Sequence, residues 1–304
     1  MLKQLDDEMN HNLFKKIQGQ CFFYNIKNLF SVPYAVIKGE ALSKQAYGSV
    51  GQRTSSDIDI LVSRKYLNDI ELSLLSAGFE NTQKSRQDRI LMLSNSHQVA
   101  PWIKVFKPWG YLVVDLNFDI FWGEYEGTRI NIEEFLSDTI DVDIYENTIK
   151  ALSPPKAMVQ LVLHNYKDMN SVFLLTTRNR LKKTMFEDLY YLLKNNLDTI
   201  SIEKLYTISE EYKIIPYVFY MFYYTSKIFN DDILKRYVEA FRTKEGDALL
   251  DFYGLCDKER KEWKCDFETR LKSKNIFDLI KNDLTEKDKE KIAINKRIFM
   301  GVEE

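Results

Sequence analysis

The spacing of apolar and polar positions changes character near residue 154. Before it, short apolar runs alternate with amphipathic stretches. Tyr34-Ala35-Val36-Ile37 is an unbroken apolar run between Pro33 and Lys38-Gly39, the pattern of a short buried strand. Glu40 to Tyr47 then has helical spacing. In Thr54-Ser55-Ser56-Asp57-Ile58-Asp59-Ile60-Leu61-Val62 the side chains alternate across a strand, with Asp57 and Asp59 on one face and Ile58 and Ile60 on the other. Lys65 to Ala77 predicts a helix with Leu67, Ile70, Leu74 and Leu75 apolar, stopped by Gly78. Ile90-Leu91-Met92-Leu93 and Trp102-Ile103-Lys104-Val105-Phe106 predict two strands. A turn at Pro108-Trp109-Gly110 leads into a further strand, Tyr111 to Asp119. Residues 1–30 predict a packing helix with Leu13, Phe14, Ile17 and Cys21 on one face.

Residues 123–150 read as a polar, acidic connector. Beyond Pro154-Pro155 the pattern turns helical and stays so, over Ala157 to Asn165, Lys182 to Lys194, Pro216 to Phe229 and Ile233 to Arg242. From Asp257 onward mixed charge dominates, the mark of a solvated helix face. The expected architecture is an N-terminal helix (1–30), an α/β (α+β) domain with a mixed sheet and helices on one side (31–150), and an all-helical domain (151–304).

Charge narrows the partners. Among 304 residues, 43 basic against 45 acidic side chains leave a net charge of −2, so no global basic field calls for nucleic acid. Cys21, Cys256 and Cys265 are odd in number and lack metal-site spacing, which suits free thiols in a reducing compartment. No basic-then-apolar leader and no membrane-length apolar run is visible, so a cytoplasmic chain without a membrane partner is expected.

The chemistry gathers on the Asp57–Asp59 strand. Carboxylates roughly 7 Å apart along a strand repel and are costly to bury unpaired. The plain alternative is two aspartates facing solvent. A third acid, Asp115, sits inside the apolar run Val113-Val114-Asp115-Leu116 and favours the other reading, in which oxygen ligands hold Mg²⁺ or Mn²⁺. Asp119 shares a face with Asp115 and is assigned a structural role. Gly39, at a strand-to-helix turn, lets a phosphate approach the backbone and the positive helix end. Lys38 and Arg53 flank that place and either bind phosphate or pair with nearby acids. Ser55 and Ser56 could donate hydrogen bonds to phosphate or simply turn the chain, and Lys104 is a weaker candidate of the same sort. Neither a Ser-His-Asp order nor a P-loop is present.

Strand, glycine turn and helix, then D-x-D, then a lone Asp on a later strand resembles the nucleotidyltransferase superfamily typified by DNA polymerase β. Ile37-Lys38-Gly39, Tyr47, Arg53 and Ser56 to Val62 resemble more narrowly its branch of uncharacterised bacterial nucleotidyltransferases, over about residues 30–122. The resemblance implies that Asp57, Asp59 and Asp115 hold two metals, Mg²⁺ or Mn²⁺, that clamp the triphosphate of an NTP substrate. It also implies transfer of a nucleoside monophosphate to an acceptor, whether small molecule, peptide or sugar. Glu40 departs from the wider pattern, where a small residue follows the glycine. Related chains carry a helical His followed by basic residues and an Asp, here His164, then Arg178, Arg180, Lys182 and Lys183, then Asp188. That resemblance makes Arg180 and Lys183 candidates for an anionic substrate across a cleft, and His164 and Asp188 candidates for supporting roles. The rival expectations are phosphoryl or glycosyl transfer to a modified peptide or surface sugar, and nucleotide binding without turnover.

Overall fold

The computed structural model describes residues 30–53, 57–83, 85–106, 110–178 and 180–300. The expected helix over residues 1–30, apart from its last residue, the Pro108-Trp109 part of the turn, and Ser55 and Ser56 lie outside them. Two compact units emerge from the described residues. The first comprises residues 30–89, 98–119 and 131–153, and the second residues 90–97, 120–130 and 154–300.

The first unit is built on a seven-stranded mixed sheet in the order β3-β4-β5-β2-β1-β7-β6. Its strands are β1 (Tyr34–Val36), β2 (Ile58–Val62), β3 (Glu80–Asn81), β4 (Trp102–Phe106), β5 (Gly110–Asn117), β6 (Thr139–Ile144) and β7 (Asn147–Leu152). Its helices include α1 (Gly39–Tyr47) and α2 (Leu67–Ser76). Helix α2 buries Leu67, Ile70 and Leu74, and Gly78 closes it at φ 82. Strand β2 lies inside the sheet, antiparallel to β1 and parallel to β5, and its Ile60, Leu61 and Val62 are fully buried.

Two expectations are corrected here. The run Ile90 to Leu93 is not a strand; it lies in helix α3 (Arg86–Asn95). Ser85 Oγ accepts the Asp88 N–H at 3.1 Å and donates to Asp88 Oδ2 at 2.7 Å, so a serine N-cap starts a helix. The apolar side chains then spread around it, Ile90 exposed and Met92 buried. Residues 123–150 are not a mere connector either. They contain the short helix α4 (Ile132–Phe135), β6 and the start of β7, which pair as a hairpin at the sheet edge with β7 parallel to β1. Tyr145 and Glu146 take φ 49 and 66 in its two-residue turn, a conformation that Asn and Gly adopt more readily. The turn therefore carried no visible signature.

The second unit is dominated by helices: α5 (Pro154–Asn170), α6 (Val172–Thr177), α7 (Thr184–Lys194), α8 (Ile202–Glu211), α9 (Ile215–Ile228), α10 (Asp232–Phe241), α11 (Lys244–Leu249), α12 (Phe267–Lys272), α13 (Phe277–Ile280) and α14 (Glu286–Met300). A two-stranded ribbon, β8 (Phe252–Tyr253) with β9 (Lys261–Glu262), interrupts them. Helix α9 buries Val218 to Phe222 and is packed against α5, α7, α10 and α11, so it has hardly any solvent side. Its polar tips are satisfied inside: Tyr220 Oη donates to Asn170 Oδ1 at 3.1 Å, and Arg270 Nη2 to Tyr224 Oη at 2.8 Å. Among the described residues no helix is long and apolar enough to cross a membrane.

Candidate active site

Parallel pairing of β2 with β5 sets Asp59 directly beside Asp115, in the register Ile58↔Val114, Asp59↔Asp115, Ile60↔Leu116 and Leu61↔Asn117. Registered neighbours on adjacent strands share a face, at a strand spacing of about 4.8 Å. Two carboxylates that are far apart in sequence are thereby forced together. Asp57, two residues before Asp59, adds a third charge: the Asp115 carboxyl is pushed up to about 7 by burial first, then by the charges of Asp59 and Asp57, against the pull of Lys38. Asp115 Oδ1 is buried and has no hydrogen-bond partner.

Lys38 supplies the nearby positive charge. Its Nζ lies 2.8 Å from Asp59 Oδ1, and only 12% of the lysine side chain and 5% of the aspartate side chain are exposed. The backbone explains this reach. The Ile37 N–H donates to Asp59 O at 3.1 Å, which extends the β1–β2 ladder to the residue before Lys38. Gly39 then takes φ 57, where a side chain would be strained, and opens α1. Asn117, which sequence reasoning passed over, shares the face of Asp115. Its Nδ2 donates to Asp115 O at 3.3 Å and approaches Asp59 Oδ1 at 3.4 Å.

Two further residues of α1 position the approach to the acids, and neither was foreseen in that role. Ser43, fully buried, accepts the N–H groups of Gln52 and Arg53 at 3.1 and 3.2 Å and donates to Ser49 O at 2.9 Å. Glu40 accepts the Gly51 N–H at 2.7 Å and the Tyr145 hydroxyl at 3.0 Å. The residue that departs from the wider pattern thus ties the segment before the D-x-D strand to the β6–β7 hairpin. A hydroxyl in a helix offers little sequence signal for such a task.

The other candidates fall elsewhere. Lys104 is corrected: it pairs across the ladder with Leu112, three residues before Asp115 and so on the opposite face. There its Nζ donates to Ala77 O at 2.5 Å and stacks over Phe79, a structural contact at the end of α2. Asp57, Asp59, Asp115, Lys38, Gly39 and Arg53 belong to the first unit, whereas His164, Arg180, Lys183 and Asp188 belong to the second. Within the second unit, His164 Nε2 is 3.2 Å from Asp168 Oδ2, and Lys167 and Arg178 also pair with that carboxylate. His164, Lys167 and Arg178 hold the buried Asp168 well below the usual carboxylate range against the cost of burial. Asp188 is buried in α7, Lys183 pairs with Glu187 at 3.2 Å, and Arg180 is exposed.

The donor set suits a hard divalent cation, because aspartate oxygens predominate and one buried oxygen lacks a partner. Among the described residues no three His, Cys, Asp or Glu side chains converge as a ready-made cage.

Three solved structures share a distant likeness to the chain. One is an antigenic nucleotidyltransferase-like protein from Paracoccidioides brasiliensis, with 13% identity over 74% of this chain and 92% of that one, at a TM-score of 0.40. The antibiotic-resistance factor ANT(2'')-Ia in solution gives 11% identity, 67% and 92% coverage, and 0.35. The same factor in complex with adenylyl-2''-tobramycin gives 11%, 66% and 97%, and 0.37. No curated protein matches the sequence. A family described as "Uncharacterised nucleotidyltransferase" matches residues 2–230, which is well over half of the chain. The chain, with its registered aspartates beside a lysine–glycine turn, belongs to that uncharacterised nucleotidyltransferase family.

Proposed function

We propose that the protein transfers a nucleoside monophosphate from an NTP to a hydroxyl-bearing acceptor and releases pyrophosphate, with Mg²⁺ or Mn²⁺ required. The observation that carries this reading is the register that sets Asp115 beside Asp59. Asp57 and Asp59 would hold the divalent cations and Asp115 would complete the acceptor side. When bound, the cations neutralise charge on the triphosphate and on the attacking and leaving oxygens. The chain's own residues do the rest. Lys38 and the Gly39 turn, at the positive end of α1, suit the phosphates, and Arg53, whose backbone N–H is anchored by Ser43, would add a guanidinium for them. Asp115 Oδ1, buried and without a hydrogen-bond partner, would take the acceptor hydroxyl proton as the new O–P bond forms and the bond to the β-phosphate breaks. In the second unit, Arg180 and Lys183 are proposed to favour an anionic substrate, with His164 and Asp188 in support.

The test incubates the protein with each α-labelled NTP, Mg²⁺ and a small-molecule extract as a pool of acceptors. The reading requires label transfer with stoichiometric pyrophosphate in the wild type and none in Asp59→Asn. Transfer that Asp59→Asn leaves intact would overturn it. Binding of the NTP without any release of pyrophosphate would favour a nucleotide-binding regulator instead.

A further inference from the structure

We propose that the Lys38 ammonium is the resident counter-cation of the acid trio, so that divalent cations load only together with a triphosphate that takes the ammonium over. This rests on the reading of Asp57, Asp59 and Asp115 as cation ligands.

Geometry carries the inference. Lys38 Nζ is 2.8 Å from Asp59 Oδ1, in a nearly closed position. Mg²⁺ binds carboxylate oxygen at about 2.1 Å, so an ammonium and a metal on that one oxygen would lie within about 5 Å of each other. In a partly dry site such a pair repels strongly. Lys38 is also tethered at the right junction. Its backbone is fixed between the Ile37–Asp59 ladder bond and the φ 57 turn at Gly39, and it stands at the N-cap of the nine-residue helix α1 without forming a side-chain cap. The flexible four-carbon stem can swing the ammonium from the carboxylates toward the helix end, where phosphates are favoured, without moving the backbone.

Charge balance points the same way. Two divalent cations added to the trio with Lys38 in place would leave surplus positive charge. A triphosphate brings as many negative charges as the two cations bring positive ones, and gives the ammonium a new partner. Metal and nucleotide therefore reinforce each other, and either one alone meets the lysine as a competitor or finds it already engaged.

The experiment measures Mn²⁺ binding by electron paramagnetic resonance, with and without α,β-methylene-ATP, in the full-length wild type, Lys38→Met, Lys38→Arg and Asp57→Asn. No turnover is involved. In the wild type the analogue should tighten Mn²⁺ by about tenfold or more, within the usual range of coupling between sites. Lys38→Met should bind Mn²⁺ alone about tenfold more tightly than the wild type, while the tightening by the analogue falls below about threefold. Lys38→Arg, which keeps the charge, should behave as the wild type. Mn²⁺ that binds Lys38→Met no more tightly than the wild type overturns the inference. So does a wild type in which Mn²⁺ and the analogue bind independently, a result that needs no variant to fold. Asp57→Asn separates the two ideas. If it leaves Mn²⁺ binding unchanged, the cation-site reading itself fails; if it abolishes binding while Lys38→Met changes nothing, only the role of the lysine fails.

Discussion

The first unit contains the D-x-D pattern twice, and the two copies behave in opposite ways. Asp57-Ile58-Asp59 leads into β2 and Asp141-Val142-Asp143 lies in β6; each is followed by isoleucine. Strand β6 is the last in the sheet. Its register sets Asp141 opposite Lys150 and Asp143 opposite Thr148, and both acids are satisfied there: Lys150 Nζ is 2.8 Å from Asp141, and Thr148 Oγ1 donates to Asp143 at 2.7 Å. Strand β2 is interior, and its register sets Asp59 opposite another aspartate. What separates a solvated face from a candidate cation site is the partner across the ladder, not the motif. The second unit adds a third setting, the buried Asp168 among His164, Lys167 and Arg178. Asp141 and Asp168 meet bases alone, whereas Asp59 meets both Lys38 and a second acid, Asp115.

Exchanging the two motifs' roles gives the largest expected effect. Asp59→Asn should lower nucleotidyl transfer by more than about 10²-fold, the scale seen when a group that stabilises transition-state charge is lost. Asp143→Asn should leave the rate within about twofold, because its acid only accepts a surface hydrogen bond. Equal losses in both variants, measured beside thermal melting, would erase the distinction between the strands.

Stability should divide the acids next. Asp168→Asn leaves several bases without their buried carboxylate and should destabilise the protein by about 3 kcal/mol in urea titrations. Because Asp168 is held low, its contribution is present above the ordinary carboxylate range and is lost as pH falls through the lowered value. An Asp168→Asn protein as stable as the wild type at neutral pH would contradict this.

Asp115 should show the reverse sign. Its carboxyl is raised to about 7 from 3.8, so its contribution favours the folded state below about pH 4 and is lost as pH rises through 7. In chelator-treated protein, Asp115→Asn should therefore melt with the wild type near pH 4 and above it at pH 8. The gap at pH 8 should be about 2 kcal/mol, roughly half of what the full shift would give, since the group is partly open to solvent. A gap that narrows with pH would mean that Asp115 is not crowded by its neighbours.

The smallest effect belongs to the surface pair. Asp141→Asn should cost less than about 1 kcal/mol, and moderate salt should hide most of it. A larger cost would mark the edge hairpin as more than a solvated strand pair.

Much of this arrangement is legible in the sequence. Apolar runs marked β1, β2, β4 and β5, and Gly78 marked the end of α2, because burial and turn geometry restrict which residues serve there. The Val113, Val114 and Leu116 neighbours of Asp115 made it stand out, and β5 ends at Asn117, before Asp119. Other parts left no trace. The β6–β7 turn uses Tyr145 and Glu146 at positive φ, so the hairpin looked like a connector. A four-residue apolar run, Ile90 to Leu93, fits a strand as well as a helix until the Ser85–Asp88 cap is considered. Above all, pairing across strands is invisible in spacing, so the roles of Asn117, Ser43 and Lys104 emerged only from the register and the loops.

In the proposed function, Asp57, Asp59 and Asp115 bind a divalent cation together with a triphosphate. Isothermal titration of the protein with α,β-methylene-ATP, in Mg²⁺ and in chelator, tests it without knowledge of the acceptor. Tight binding that appears only with Mg²⁺ and disappears in the Asp57→Asn, Asp59→Asn double variant is the predicted result. Binding of equal strength in chelator, or retained by the folded double variant, would contradict it.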